Sequence, residues 1–275
     1  MKFQSLFLGA VFFAACTLVL PSHATVVIED TFSGRYSSEE SVKLSATHPN
    51  TAGTSLSWTA TSNLVFKTNA TTQTEYLTAD GTANHANMSL PFTYNTYSSN
   101  GSVATVGITL NSGSSGSNDK WIGVGFSSAS SFNNPISNGT VWLQISRRST
   151  TANWYLKTKN TTLATGALGT DFSLSSSNTF SFSYDFATTT VTGVYLNGVN
   201  VLEAAYVFGA PGNQAAPAAT NSVGAFFQWA DNDVNKLTDF KVAMNTTSVP
   251  EPGSWALIGG SLLLAFGLIR RFAKR

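Results

Sequence analysis

The stretch TFSFSYDF (Thr179–Phe186) places an aromatic ring at every second residue. Side chains on a β-strand alternate between faces, so this spacing puts Phe180, Phe182, Tyr184 and Phe186 on one face and the polar side chains on the other, the pattern of a half-buried strand. Ten residues on, Asn197-Gly198 follows VYL and precedes VNVL. Both residues tolerate the positive φ of a type I′ turn, so a hairpin is expected there. Outward from this pair, short runs rich in β-branched and aromatic residues recur between Gly, Asn, Ser and Pro. Strands are expected at Val26–Phe32, Ser57–Phe66, Asn87–Phe92, Val103–Leu110, Trp121–Phe126, Val141–Ser146, Trp154–Lys157, Thr179–Phe186, Thr190–Leu196, Val223–Trp229 and Leu237–Val242. No useful stretch has a 3.6-residue apolar period. The expected fold is therefore all-β, a two-sheet antiparallel β-sandwich in one domain spanning 25–246.

Composition agrees with a packed, exported β-protein. Of 275 residues 12% are aromatic and only 11% charged, which is too apolar for a disordered chain. The net charge of +1 hides an asymmetry, because residues 25–248 carry ten Lys and Arg against thirteen Asp and Glu. Such a body has no electrostatic attraction for nucleic acid.

Both ends read as addresses. The N-terminus carries Lys2, an apolar run from Leu6 to Leu20, Pro21 and the small residues Ser22 and Ala24. This is a secretory signal peptide (residues 1–24), with cleavage expected between Ala24 and Thr25. The single cysteine, Cys16, lies inside it, and a lipoprotein signal at Phe13-Ala14-Ala15-Cys16 competes with that reading. Cleavage after Ala24 leaves a mature body without thiols or disulfides. At the other end, Trp255–Ile269 is uncharged and apolar and is followed by Arg270, Arg271, Lys274 and Arg275. A transmembrane helix over about residues 254–270 is expected, its basic end cytoplasmic. Directly before it stands Val249-Pro250-Glu251-Pro252, an extended peptide stripped of amide donors by its prolines.

Those last parts, in that order, resemble the PEP-CTERM sorting tail, here residues 247–275. The resemblance implies recognition by an exosortase-like membrane protease through Val249, Pro250, Glu251, Pro252, Arg270 and Arg271. It further implies an inner-membrane intermediate, cleavage near Pro250-Glu251-Pro252, and delivery to the cell surface or extracellular matrix. The body resembles the laminin-G-like or concanavalin A-like jelly rolls. The matching marks are Asp30-x-Phe32, the Gly53 to Trp58 step, Trp121-Ile-Gly-Val-Gly-Phe126, Val141-Trp-Leu-Gln-Ile-Ser146, Val194-Tyr-Leu-Asn-Gly198, and Val223-Gly-Ala-Phe226 leading to Leu237-Thr-Asp-Phe240.

The chemistry-bearing residues are sparse. Glycoside hydrolysis needs two carboxylates across a groove, and no E-x-D-x-x-E arrangement occurs. Glu29 and Asp30 are adjacent and should point to opposite faces of a strand. His48 and His85 have no metal-like partner at i+2 or i+4, so they read as surface histidines. Asp231, Asp233 and Asn235 offer oxygens at alternate positions of one loop, either for calcium or as an Asx-rich turn; the EF-hand pattern fails at Lys236 and Val242. Trp121, Trp142, Trp154, Tyr155 and Trp229 could stack on sugar rings or fill the core. Trp154, Tyr155 and Trp229 are the preferred glycan contacts, since neighbours on a strand face opposite ways. These observations lead to an exported, non-catalytic surface or matrix protein associated with exopolysaccharide. A carbohydrate-binding module is the first alternative, and a polysaccharide hydrolase or lyase the second.

Overall fold

The computed structural model describes residues 24–35, 43–50, 56–69, 72–79, 85–111, 120–147, 152–169, 176–228 and 236–245. The expected signal peptide up to His23, the expected sorting motif Val249–Pro252 with Arg270 and Arg271, and the expected transmembrane segment lie outside them. The described residues form one compact unit, Ala24–Asn245, of two antiparallel sheets.

Sheet A contains β1 (Ala24–Asp30), β3 (Leu64–Thr68), β4 (Glu75–Ala79), β6 (Val103–Asn111), β11 (Ser177–Asp185), β12 (Thr190–Leu196), β13 (Val199–Asn200), β14 (Tyr206–Val207) and β16 (Lys236–Asn245). Its order is β13-β12-β11-β6-β16-β4-β3, with β1 also on β16 and β14 on β12. Sheet B contains β2 (Thr59–Ala60), β5 (His85–Pro91), β7 (Lys120–Ser127), β8 (Gly139–Arg147), β9 (Ala152–Thr158), β10 (Thr161–Ala167) and β15 (Ser222–Gln228), in the order β10-β9-β8-β7-β15-β5-β2. Consecutive runs such as β10-β9-β8-β7 are joined by the non-consecutive neighbours β11-β6-β16-β4 and β7-β15-β5-β2, the crossovers of a jelly roll rather than a plain meander.

The core is the layer between the sheets. The alternation that opened the sequence reading is realised in β11, where Phe180, Phe182 and Tyr184 are buried while Thr179 is exposed. Ala104, Val106, Ile108 and Leu110 of β6 lie on the same inner face, and Ile122, Val124, Phe126, Val141, Leu143 and Ile145 answer from sheet B. The hairpin is as expected. Asn197 (φ 49°) and Gly198 (φ 82°) occupy the left-handed region, and Asn197 Oδ1 accepts from the Thr179 backbone N–H at 2.8 Å.

Three expectations are corrected. Ser57–Phe66 is not one strand: the polar turn Thr61-Ser62-Asn63 divides it, sending β2 to sheet B and β3 to sheet A. The first strand stops at Asp30, because Asp30 Oδ1 accepts from the Phe32 N–H at 2.9 Å and holds Phe32 at φ 52°. Glu75–Ala79 and Thr161–Ala167 are additional strands, one buried on both faces and the other an edge strand of small residues.

Asp30 anchors that corner. Its carboxylate is fully buried, accepts from the Trp58 indole N–H at 2.7 Å, and pairs with Arg35 at 2.9 Å. Burial pushes its pKa up, against the pull of those donors and the guanidinium charge. Glu29 points the other way and pairs with Lys241 at 3.0 Å on the outside of sheet A. There the side chains are mostly hydroxyls, with Thr105 bonded to Ser183 (2.7 Å) and Thr109 to Thr179 (3.2 Å).

Candidate functional site

The outer face of sheet B is built differently. In β7 the in-phase residues Ile122, Val124 and Phe126 enter the core, which turns Trp121, Gly123 and Gly125 outward. In β8, Val141, Leu143 and Ile145 likewise leave Trp142, Gln144 and Ser146 outside. The strand registers then assemble two rows across the face. One runs Asn153, Ser146, Trp121, Gln228, His85; the next runs Tyr155, Gln144, Gly123, Phe226, Asn87.

The rings meet over the glycines. A Cβ on Gly123 would lie 3.0 Å from the Trp142 ring and 3.2 Å from that of Trp121, so both indoles lie down onto this strand. Trp121 stacks on Phe226 at 5.2 Å (27°) and tilts against Trp142 at 5.5 Å; Phe226 in turn stacks on exposed His85 at 5.8 Å (12°). Trp142 is fully buried beneath Phe132, on the segment between β7 and β8, and donates its Nε1–H to the Lys159 carbonyl at 3.0 Å. Trp121 stays half-exposed at the open end of this stack.

Polar groups share the face of that open ring. Lys157 lies with its Nζ 5.2 Å from the Trp142 ring and donates to Gln144 Oε1 at 3.3 Å; burial lowers its pKa. Ser146 and Gln228 stand directly across from Trp121, with Asn153 and His85 one strand further out in the same row and Tyr155 in the next. A flat indole edged by amides, a phenol and an imidazole matches what a pyranose offers, an apolar C–H face ringed by hydroxyls that both donate and accept. Among the described residues this face carries no Asp or Glu.

Of the rings expected at a glycan site, Tyr155 is on this face, half-buried. Trp154 is not. It points into the core at 3% exposure, its indole packed on Gly166 of the neighbouring strand, so it has no face for a sugar. Trp229 and the candidate calcium residues Asp231, Asp233 and Asn235 lie outside the described residues. Among the described residues no three His, Cys, Asp or Glu side chains converge as a metal site. Ala24 and Thr25 begin β1, exposed and paired with Asn245 and Met244. Sequence reasoning missed Gln144, Lys157, Phe226 and the placement of His85. The signal that finds the first is phase, since Gln144 and Ser146 share the face of Trp142.

No protein-family model matches the chain, and no curated protein does. Solved structures share its fold. The CBM2 module of the evolved Dit of Lactobacillus casei BL23 phage J-1 is 11% identical with a TM-score of 0.51, covering 83% of this chain and 99% of its own. A conserved carbohydrate esterase from Shiga toxin-encoding bacteriophage phi24B is 13% identical with a TM-score of 0.51, covering 82% and 100%. The carbohydrate recognition domain of Emp47p is 15% identical over 78% of this chain and 99% of its own, at a TM-score of 0.43. At these identities the likeness is one of fold alone: an all-β jelly roll of two antiparallel sheets.

Proposed function

We propose that this chain is an exported carbohydrate-binding protein whose glycan site is the outer face of sheet B, centred on Trp121. The observation that carries the reading is the indole stack left open at Trp121 and bordered by Gln144, Tyr155, Asn153 and His85. The fold shared with a phage CBM2 module supports it. The alternative of glycoside hydrolysis needs two carboxylates, and this face has none among the described residues. Affinity electrophoresis of the full-length chain through gels containing neutral polysaccharides tests the reading. Retention on at least one gel, lost in Trp121→Ala and reduced in Gln144→Ala, is the expected result; mobility unchanged on every gel overturns it.

The two ends extend the proposal to location. The signal peptide directs export with cleavage between Ala24 and Thr25, and the Val249-Pro250-Glu251-Pro252 tail with Arg270 and Arg271 delivers the domain, through an exosortase-like protease, to the cell surface or an exopolysaccharide layer. Intact mass spectrometry of the protein from cell-surface and culture fractions tests this. A species from Thr25 to near Pro250 is expected, and one still ending at Arg275 excludes processing of the tail.

A further inference from the structure

We infer that the outer face of sheet A is a second glycan-binding surface, so that one domain holds two polysaccharide strands on opposite sides; the inference rests on the carbohydrate reading above. A groove of about 460 Å³ opens there, floored by Gly107 and Ser181 and walled by Thr105, Thr109, Asp239 and Asn245. Its depth comes from Gly107. A Cβ at this position would lie 2.8 Å from Ser181 Cβ, so the two strands present almost no side chain at the centre of the sheet.

The groove offers the hydrogen-bonding mixture a polyol needs. Each of the pairs Thr105–Ser183 and Thr109–Thr179 uses one hydroxyl proton internally and leaves the other free to donate. The buried Asn245 Oδ1 accepts from no donor among the described residues, and the Asp239 carboxylate lines the groove beside it. At the end of the Lys241-Gly107-Ser181 row lies Tyr195, half-buried, its ring laid along the strand over Gly193, where a Cβ would stand 2.6 Å from the phenol oxygen. That gives an aromatic surface beside hydroxyls, the same pairing of chemistries as on sheet B.

Charge selects the class of ligand. The cation in the groove, Lys241, is already held by Glu29, and Asp239 adds a carboxylate, so an anionic strand is repelled and a neutral polysaccharide is accommodated. Peptides are a poorer match, because the groove lies over β11, β6 and β16, whose backbones are already paired within the sheet, and offers no free strand edge to extend.

The test is isothermal titration of the full-length chain with cello-, laminari-, chito- and mannopentaose. An oligosaccharide that binds should fill two sites per chain. Tyr195→Ala should weaken one of them about tenfold and spare the other, and Trp121→Ala should do the reverse. Asp239→Asn, which changes no volume, should weaken the Tyr195 site several-fold, with a thermal melt confirming that each variant is folded. One site per chain, lost in Trp121→Ala and untouched by Tyr195→Ala and Asp239→Asn, overturns the second surface while leaving the first. Heat-silent titrations with all four, together with unretarded migration in the polysaccharide gels, remove both.

Discussion

Ser183 and Trp142 occupy comparable places, each turned outward on a strand beside the middle of its sheet. Ser183 is closed off by a single hydroxyl, that of Thr105 at 2.7 Å. Trp142 is closed off by a covering segment with Phe132, a neighbouring Trp121, a lysine above its ring and a carbonyl at its nitrogen. Along β6 and β11, sheet A is therefore a sandwich layer with a dry inside and a hydroxyl-covered outside. Sheet B carries a second, smaller apolar layer on its outside and is buried on both faces along β15, where six consecutive residues are buried. The lesson is that stability in sheet B is shared between two layers, whereas in sheet A it is concentrated in one.

Breaking the stack should therefore cost far more than breaking its hydroxyl counterpart. Trp142→Ala is expected to lose about 3–5 kcal/mol, against about 1 kcal/mol for Ser183→Ala, in urea unfolding curves read by fluorescence and circular dichroism. Equal losses would mean that the outer layer of sheet B contributes nothing of its own. The glycines sharpen the contrast. A Cβ on Gly224 would stand 2.0 Å from the Met88 carbonyl, between strands covered on both sides, so Gly224→Ala should lose about 1–3 kcal/mol. A Cβ on Gly107 would meet Ser181 Cβ at 2.8 Å and the Phe180 carbonyl at 3.0 Å, looser than the 2.0 Å at Gly224, so Gly107→Ala should lose less in the same curves.

The smallest effect concerns charge. Asp239 has a carboxyl pushed up to about 6, first by burial and then by Glu29, with Lys241 pulling the other way. From pH 4 to 6 the folded chain keeps a proton that the unfolded chain, at its ordinary carboxylate value, has released. Stability from this group therefore falls as pH rises through that window and is level above it. Since Asp239 is half-exposed, solvent screening leaves about 1 kcal/mol, so Asp239→Asn should raise Tm by about 2–4 °C at pH 7 and by nothing at pH 3.5. A gain at both pH values would assign the effect to packing instead.

Where the sequence was legible, the cause was a period of two with only one face buried. TFSFSYDF and the Asn197-Gly198 turn declare both strand and direction without any partner. The site was harder, because rings mark strands without saying which face they occupy. Trp154 and Tyr155 guaranteed one ring outside, yet only the packing of Trp154 on Gly166 decided which. Trp142 was opaque for a different reason: it is both outward and buried, a state that needs the Phe132 segment to be folded over it and that no local pattern encodes. Arg35 closes the Asp30 site from five residues away with no periodic signature at all.

β16 is the last described strand of the chain and also the one on which sheet A turns, since it pairs with β6, β4 and β1. The Lys241–Glu29 contact spans 212 positions. On the export route proposed above, a chain threaded outward from its N-terminal end would not seat its first strand until its last one had emerged, so folding would wait for the end of passage. Until then the bond between Ala24 and Thr25 would belong to an unpaired strand, open to a peptidase; once β16 pairs with β1, it is part of a hydrogen-bonded ladder. The proposed removal of the leader would thus have a deadline set by the arrival of residue 245.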